Sequence, residues 1–167
     1  MIRMTTLCVA SALLLSACAS DTKDSNTSGA NSSGMGGAGF PGGSASRGAP
    51  GSQEDLTQSA GDRIFFDSDQ SVVTSQARDT LERQAQWLQQ NARVGIWIAG
   101  NCDERGTEEY NLALGQRRAN ADRDYLVSRG ISSGRIQTIS YGKTRPVDPS
   151  SSQEGWAHNR NAITSVR

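Results

Sequence analysis

The chain has 167 residues, which is enough for one ordinary domain or for a smaller domain with appendages. Seventeen lysines and arginines balance seventeen aspartates and glutamates, so the chain has no net basic field that would hold nucleic acid. A single histidine excludes a metal site built from several histidines, and three cysteines are too few for a disulfide-dense scaffold. Hydrophobic residues make up only 35% of the chain, so much of it is expected to lie outside a packed core.

A short apolar run follows Arg3 at the N-terminus. Between Leu7 and Ala17 only two serines are polar. In helical form a run of this length spans about 16 Å, roughly half of a bilayer's hydrocarbon core. The length therefore favours a secretory signal peptide, residues 1–17, over a transmembrane anchor.

The run ends in Leu15-Ser16-Ala17-Cys18, which resembles the lipobox of bacterial lipoproteins. In that family the cysteine thiol receives a diacylglyceryl group, the signal is removed before the cysteine, and the new amino group is acylated. The resemblance implies lipidation of Cys18 and permanent membrane anchoring. Ala19 stands where members retained in the inner membrane often carry Asp, so the resemblance implies the outer membrane. A plain signal peptide followed by an incidental cysteine is the alternative.

A glycine-rich stretch follows and carries almost no core-forming side chains. Between Gly29 and Gly51, nine of 23 residues are glycine, and only Met35 and Phe40 are large and apolar. Burial cannot offset the entropy that such a segment would lose on ordering, which predicts a disordered Gly/Ser-rich tether over residues 18–61. Its root-mean-square reach is ~35–40 Å, and a passive spacer is an open alternative for its role.

Residues 62–167 are predicted to form one domain of six elements. In chain order these are strand 63–66, helix 75–91, strand 94–99, helix 107–129, strand 135–141 and strand 162–166. The order predicts an α/β two-layer sandwich, βαβαββ, in which two main helices cover one face of a four-stranded mixed sheet. The strand–helix–strand connections suggest parallel pairing, and the short last connection suggests an antiparallel final strand.

The two predicted helices have distinct faces. The first, with Ser75 as its N-cap, has an apolar stripe at Ala77, Leu81, Ala85 and Leu88. In the second, which Thr107 caps, the predicted core stripe consists of Leu112, Gly115, Ala119 and Leu126. Helical phase places Arg118 on one face with Asn111 and Leu114, whereas Arg117 is rotated about 100° toward solvent.

Six short motifs occur in order along this domain: Phe66-Asp67, Asp103-Glu-Arg-Gly106, Tyr110-Asn-Leu112, Arg118-Ala119, Ser140-Tyr-Gly142 and Asn159-Arg160. Together they strongly resemble the OmpA-like peptidoglycan-binding domain, and in particular the family of peptidoglycan-associated lipoproteins. The resemblance implies the OmpA-like sandwich fold, non-covalent peptidoglycan binding, no enzymatic activity, and no cofactor or metal.

The resemblance also implies a binding site for diaminopimelate, a component of the peptidoglycan stem peptide that can present an ammonium and a carboxylate on one centre. Asp103 and Arg118 match the family's two charged ligand residues, and one carboxylate with one guanidinium suits such a pair. Arg118 lies about 16 Å along the helix from its cap, so the two meet only if loop 101–107 folds back. A structural salt bridge or two unconnected surface charges are the alternatives.

Further expectations concern the remaining site residues. Asp67 matches a family residue that contacts the ligand, with turn formation as its alternative role. The other pocket-lining candidates are Arg105, Thr107, Asn111 and Leu114. Capping and packing are the alternatives for Thr107 and Leu114.

The chain also departs from the family pattern. Asn101 stands where many members have His, and Asn161 stands where a second Arg is usual. Cys102, where many members have Ala or Thr, is expected to be a small buried thiol, and His158 to be incidental.

The family's partners imply a wider role. The resemblance implies an outer-membrane lipoprotein whose domain faces the periplasm and tethers the membrane to the wall within a Tol-Pal system. It further implies binding of the propeller protein TolB through the same surface, exclusive of the wall, and a role in constriction at division. A wall hydrolase that uses Asp103 or Glu104 as acid or base, and a structural lipoprotein with a protein partner, are the alternatives.

Overall fold

The computed structural model describes residues 48–167. Expectations that concern the signal peptide, Cys18 and the tether as far as residue 47 lie outside the described residues. The elements in chain order are α1 Gln53–Ser59, β1 Arg63–Phe65, α2 Ser75–Gln90, β2 Ile96–Asn101, α3 Glu108–Ser128, a 3₁₀ turn Ser133–Arg135, β3 Ile136–Gly142, α4 Gln153–Asn159 and β4 Asn161–Val166.

The four strands form one mixed sheet in the order β1-β4-β2-β3. β2 and β3 are parallel, while β4 is antiparallel to both of its neighbours. The last strand therefore separates β1 from β2, so only the second strand–helix–strand unit joins adjacent strands. The predicted fold class, an α/β sandwich with a four-stranded mixed sheet, is confirmed.

The core forms where α2 and α3 bury their apolar stripes against the sheet. In α2 the predicted stripe is confirmed, and its four residues belong to the same buried cluster as Ile96 and Ile98 of β2. The N-cap of α2 is Thr74 rather than Ser75, because the Thr74 hydroxyl accepts a hydrogen bond from the Ala77 amide at 3.2 Å.

The predicted core stripe of α3 is wrong at its first position. Leu112 is 51% exposed, whereas Gly115, Ala119 and Leu126 are buried as expected. At this end of the helix, the backbone of Leu112 rather than its side chain lies against Gly142 at the end of β3. In the first turns of α3, a helical phase that matches the buried stripe is therefore not sufficient to bury a side chain.

The predicted boundary between tether and domain is also wrong, because α1 belongs to the domain. Leu56 and Ala60 are fully or almost fully buried in the core cluster. The Gln53 side chain continues the hydrogen-bond ladder of β4 beyond the short strand β1, accepting from Val166 N at 2.8 Å and donating to Thr164 O at 3.3 Å. Residues 52–61 are thus ordered, contrary to the tether expectation.

The sequence predicts a loop before the last strand, but part of this segment forms a further helix, α4. The Ser152 hydroxyl caps it by accepting from Gly155 N at 3.0 Å. Over residues 48–167, no helix has the length and apolar character needed to cross a membrane.

Asp122 of α3 is buried without compensation. Neither of its carboxylate oxygens has a hydrogen-bond partner within the described chain. Burial raises the pKa of Asp122 to about 8. The folded protein therefore keeps a proton on this group in neutral solution, which the unfolded chain would release.

We expect Leu56→Ala to destabilise the domain by about 2–5 kcal/mol, because it empties a fully buried site in the core. Leu112→Ala is the matched control, since the same atoms are removed from an exposed site, and it should change stability by about 0.5 kcal/mol or less. Urea unfolding of both variants measures the difference. Equal losses would show that α1 is not part of the cooperative unit.

The free energy of unfolding should fall between about pH 4 and pH 8, by up to about 1.4 kcal/mol per pH unit from Asp122 alone. The sign follows because the folded state retains the proton across this window and the unfolded state does not. Asp122→Asn should remove this contribution, whereas Asp124→Asn, a change at an exposed carboxylate, should leave it. Urea unfolding at pH 5 and pH 8 measures it, and equal pH slopes for the wild type and Asp122→Asn would contradict it.

Candidate functional site

A cavity of about 250 Å³ opens where the loop after β2 folds back beside α3. Its walls combine two carboxylates, two arginines and a set of polar, small or apolar groups. The lining residues are Ser68, Asp69, Cys102, Asp103, Arg105, Gly106, Tyr110, Asn111, Leu114 and Arg118.

Two glycines bring α3 close enough to β2 to form this cavity. A Cβ atom on Gly100 would lie 1.9 Å from the carbonyl oxygen of Gly115, and one on Gly115 would lie 2.3 Å from Ser140 Oγ. Because neither position tolerates a side chain, the helix backbone rests directly on the strand. The guanidinium of Arg118 consequently reaches the Asn101 carbonyl, which accepts a hydrogen bond from Nη1 at 2.8 Å.

The loop between β2 and α3 is held back against the helix by its own hydrogen bonds. Asn111 Nδ2 donates to the carbonyl oxygens of Arg105 at 2.7 Å and Thr107 at 3.1 Å. Gly106 adopts a φ of 88°, which glycine accepts without strain. The chain thus turns back toward Arg118, the condition under which an acid in the loop can share a site with that arginine.

Arg118 is 0% exposed and is held by backbone carbonyls rather than by an acid. Besides Asn101 O, it donates from Nε to Gln70 O at 2.8 Å and from Nη2 to Asp67 O at 3.1 Å. Its guanidinium carbon lies 5.2 Å from the centre of the Phe66 ring. Burial lowers the pKa of Arg118. No carboxylate of residues 48–167 lies within salt-bridge distance of it.

Asp103 is also nearly buried, but it is heavily paired. Arg105 donates to it from Nε at 3.1 Å and from Nη2 at 2.7 Å, and Arg160 Nη1 lies 3.5 Å away. Burial acts to raise the pKa of Asp103, but the hydrogen bonds from Arg105 and Arg160 hold it below its usual value. Asp103 is therefore an ionised carboxylate.

The structure thus brings the two predicted charged residues to one cavity without pairing them to each other. Arg105, Asn111 and Leu114 also line the cavity. Whether these residues bind a ligand stays a prediction at this point.

Two of the predicted lining residues do not line the cavity. The Thr107 hydroxyl caps α3 by accepting from Tyr110 N at 3.2 Å, which is the capping role given above as its alternative. Asp67 contributes only its backbone carbonyl, which accepts from Arg118 and from Gln70 N in a turn. Its side chain is exposed.

Sequence reasoning missed several residues at the site. Asp69 has a positive φ of 60° and accepts a hydrogen bond from the hydroxyl of Tyr110 at the cavity mouth. Arg160 pairs with Asp103 across 57 residues of sequence. Tyr110 and Arg160 lie in the family motifs, which was the only available signal, whereas the position of Asp69 depends on a turn conformation that its sequence does not specify.

The two departures from the family pattern meet inside the domain. Asn101 Nδ2 donates to Asn161 Oδ1 at 2.8 Å, and both side chains are buried. Asn161 Nδ2 in turn donates to the carbonyl of His158 at 2.6 Å. Because the backbone carbonyl of Asn101 also accepts a hydrogen bond from Arg118, this asparagine pair stabilises the backbone that holds the arginine.

A second layer of contacts lies outside the cavity. The Arg105 guanidinium stacks on the Trp156 ring of α4 at 4.5 Å from its centre. Trp156 Nε1 donates to Glu104 Oε1 at 3.0 Å, and Lys143 Nζ donates to the carbonyl of Gly106 at 2.7 Å.

Cys102 is a buried thiol, as expected, and burial raises its pKa. Residues 48–167 hold no cluster of three or more groups suited to a metal ion.

The chain is similar to known proteins over this same domain. The model of the OmpA family matches residues 65–160. The peptidoglycan-associated lipoprotein of Rhizobium meliloti is 55% identical over 120 residues, covering 72% of this chain and 68% of the relative. That of Brucella melitensis is 53% identical over 120 residues, covering 72% and 71%.

Solved structures agree with this relationship. The crystal structure of the peptidoglycan-associated lipoprotein from Burkholderia pseudomallei has a TM-score of 0.62 and 40% identity, covering 64% of this chain and 90% of that one. The C-terminal domain of Helicobacter pylori MotB, at 23% identity and a TM-score of 0.60, shares the fold over 64% of this chain and 84% of that one. The family match covers more than half of the chain and these relatives align over the same domain, so the chain belongs to the OmpA family and, within it, to the peptidoglycan-associated lipoproteins.

Proposed function

We propose that the chain binds the diaminopimelate-containing stem peptide of peptidoglycan non-covalently and tethers the outer membrane to the cell wall. The ligand's carboxylate would lie at Arg118 and its ammonium at Asp103. The names of the curated relatives support an association with peptidoglycan.

The observation that carries this proposal is the unpaired charge of Arg118. A guanidinium has five N–H groups, and the described chain uses three of them on carbonyl oxygens. Carbonyl groups stabilise the charge but do not neutralise it. A buried cation beside a cavity favours an anion there, and a carboxylate would share with the neighbouring Cys102 thiol the N–H groups that the carbonyls leave.

The size and charges of the cavity support a ligand of amino-acid size. Its volume of about 250 Å³ lies below the ~300–1,000 Å³ of clefts that hold drug-sized ligands. Asp103, ionised and on the same wall, supplies the opposite charge that an ammonium needs. A zwitterionic centre therefore fits better than a neutral sugar.

A single site of this kind should bind only modestly. One charge-paired centre must offset ~4–15 kcal/mol of association entropy, so an affinity no tighter than micromolar is expected. Many copies that engage one wall polymer compensate through effective concentration. Weak individual contacts with strong collective attachment suit a tether.

A wall hydrolase is disfavoured by the same contacts. Hydrogen bonds from Ser151 and Trp156 lower the pKa of Glu104, and the arginines lower that of Asp103. A general acid needs a raised pKa, and neither carboxyl group has one. Family membership agrees that the chain is a binding protein rather than an enzyme.

The remaining parts of the proposal concern the membrane and the protein partner. The lipobox at residues 15–18 and the word lipoprotein in the relatives' names support acylation of Cys18. Ala19 favours the outer membrane, with the domain in the periplasm. The family resemblance supports membership of a Tol-Pal system, in which a TolB-like propeller protein binds the same surface during constriction at division.

We expect Asp103→Asn to reduce retention on diaminopimelate-containing sacculi roughly tenfold or more, because the ammonium loses a charged hydrogen-bond partner. Asp124→Asn is the matched control, since it makes the same change at an exposed carboxylate of α3 that does not line the cavity. Residues 18–167 with Cys18→Ser would be sedimented with purified sacculi. Free diaminopimelate should release the wild type, whereas pimelate, which lacks both amino groups, and cadaverine, which lacks both carboxyl groups, should not. Unchanged retention of Asp103→Asn would favour a structural lipoprotein with a protein partner.

Binding of a TolB-like protein should be exclusive of wall binding. A soluble stem peptide that contains diaminopimelate is expected to displace a TolB homologue from the same protein, since both use the cavity and its rim. Surface plasmon resonance with the TolB homologue immobilised measures this competition. Simultaneous, independent binding of both would contradict the shared surface.

A further inference from the structure

The carboxylate of Asp103 has no free acceptor position. Oδ1 accepts from the backbone N of Arg105 at 3.2 Å and from its Nε at 3.1 Å. Oδ2 accepts from Arg105 Nη2 at 2.7 Å and from Arg160 Nη1 at 3.5 Å. A carboxylate offers about four lone-pair positions, and these four contacts fill them. An incoming ammonium can bond to Asp103 only if a present donor leaves.

The contacts show which donor is able to leave. The Arg105 backbone N–H belongs to the folded-back loop, which Asn111 holds in place. Arg160 is only 15% exposed at its side chain and is fixed by a second hydrogen bond from Nε to Phe66 O at 3.1 Å. The Arg105 side chain, by contrast, is 43% exposed and carries two of the four contacts. Removal of this one side chain frees one position on each oxygen.

A second set of partners is ready for the displaced guanidinium. Arg105 already lies over the Trp156 ring at 4.5 Å, and its Nη2 also donates to Ser68 Oγ at 2.9 Å. A cation stacked on an indole retains a favourable interaction after its ion pair opens. Trp156 is itself oriented by its hydrogen bond to Glu104. When the Arg105 side chain leaves Asp103, its guanidinium therefore keeps other partners and is not exposed as an unpartnered charge.

We propose that Arg105 is an internal counter-ion of Asp103 that is exchanged for the ammonium group of the ligand. This inference rests on the proposed function, because it takes the ligand's amine to Asp103. Arg105 then lowers the affinity of the site for amines, because each bound amine must first replace the two hydrogen bonds from the Arg105 side chain to Asp103. Amine-containing ligands compete with Arg105, whereas ligands with carboxylates alone do not.

The test compares meso-diaminopimelate with pimelate by isothermal titration of residues 18–167 with Cys18→Ser. Arg105→Gln should bind diaminopimelate roughly two- to fivefold more tightly than the wild type, the gain expected from loss of one half-exposed ion pair. Its affinity for pimelate should not rise. Arg78→Gln is the matched control, because it removes an equal charge from an exposed position of α2 that does not line the cavity, and it should give no gain for either compound.

Fluorescence provides a second readout that does not depend on the substitution at Arg105. Diaminopimelate should change the tryptophan emission of the wild type, and Trp156→Phe should abolish this change, since Trp156 is the tryptophan on which Arg105 stacks. Arg105→Gln with weaker or unchanged affinity for diaminopimelate, in a wild type that binds it, would overturn the exchange and leave the proposed function standing. A wild type that binds neither diaminopimelate nor sacculi would overturn both.

Discussion

The domain is organised around one constraint, the burial of the Arg118 guanidinium. An isolated charge moved into a protein interior costs tens of kcal/mol in the idealised limit, so it persists only where strong acceptors surround it. Three backbone carbonyls, from residues 67, 70 and 101, meet that need here. They come from two segments that the fold must bring together, and the direct contact of Gly100 with Gly115 sets the helix close enough for Arg118 to reach the carbonyl of residue 101. These carbonyls accept hydrogen bonds from Arg118, but they do not neutralise its positive charge.

The same region concentrates cations around a single acid. Asp103 faces Arg105 and Arg160 at close range, and Arg118 lies on the same cavity. With Asp69 at the cavity mouth, three guanidiniums face two carboxylates, so the site keeps an excess of positive charge that favours an added anion. An added cation at Asp103 must exchange with one already present. Asn101 and Asn161 depart from the family's usual residues, but their buried side chains form a hydrogen bond with each other. Each asparagine supplies the partner that the other requires.

Sequence reasoning succeeded where a single face of a long element carried the signal. The stripe of α2 repeats over about three turns, and helical phase distinguished buried Arg118 from exposed Arg117 because Asn111 and Leu114 share its face. It failed where the decisive contact was local or distant. The seven-residue helix α1 offers one buried leucine and no period, and α4 is equally short. Arg160 reaches Asp103 only through the placement of β4 in the sheet, which no local pattern encodes.

The most direct measurement is a crystal structure of the domain with meso-diaminopimelate bound. The account requires one carboxylate of the ligand within hydrogen-bond distance of the Arg118 guanidinium. The ammonium on the same carbon should lie against Asp103 in place of the Arg105 side chain. A ligand found elsewhere on the domain, or one in the cavity with its carboxylate turned away from Arg118, would contradict the claim that this buried charge is the receptor.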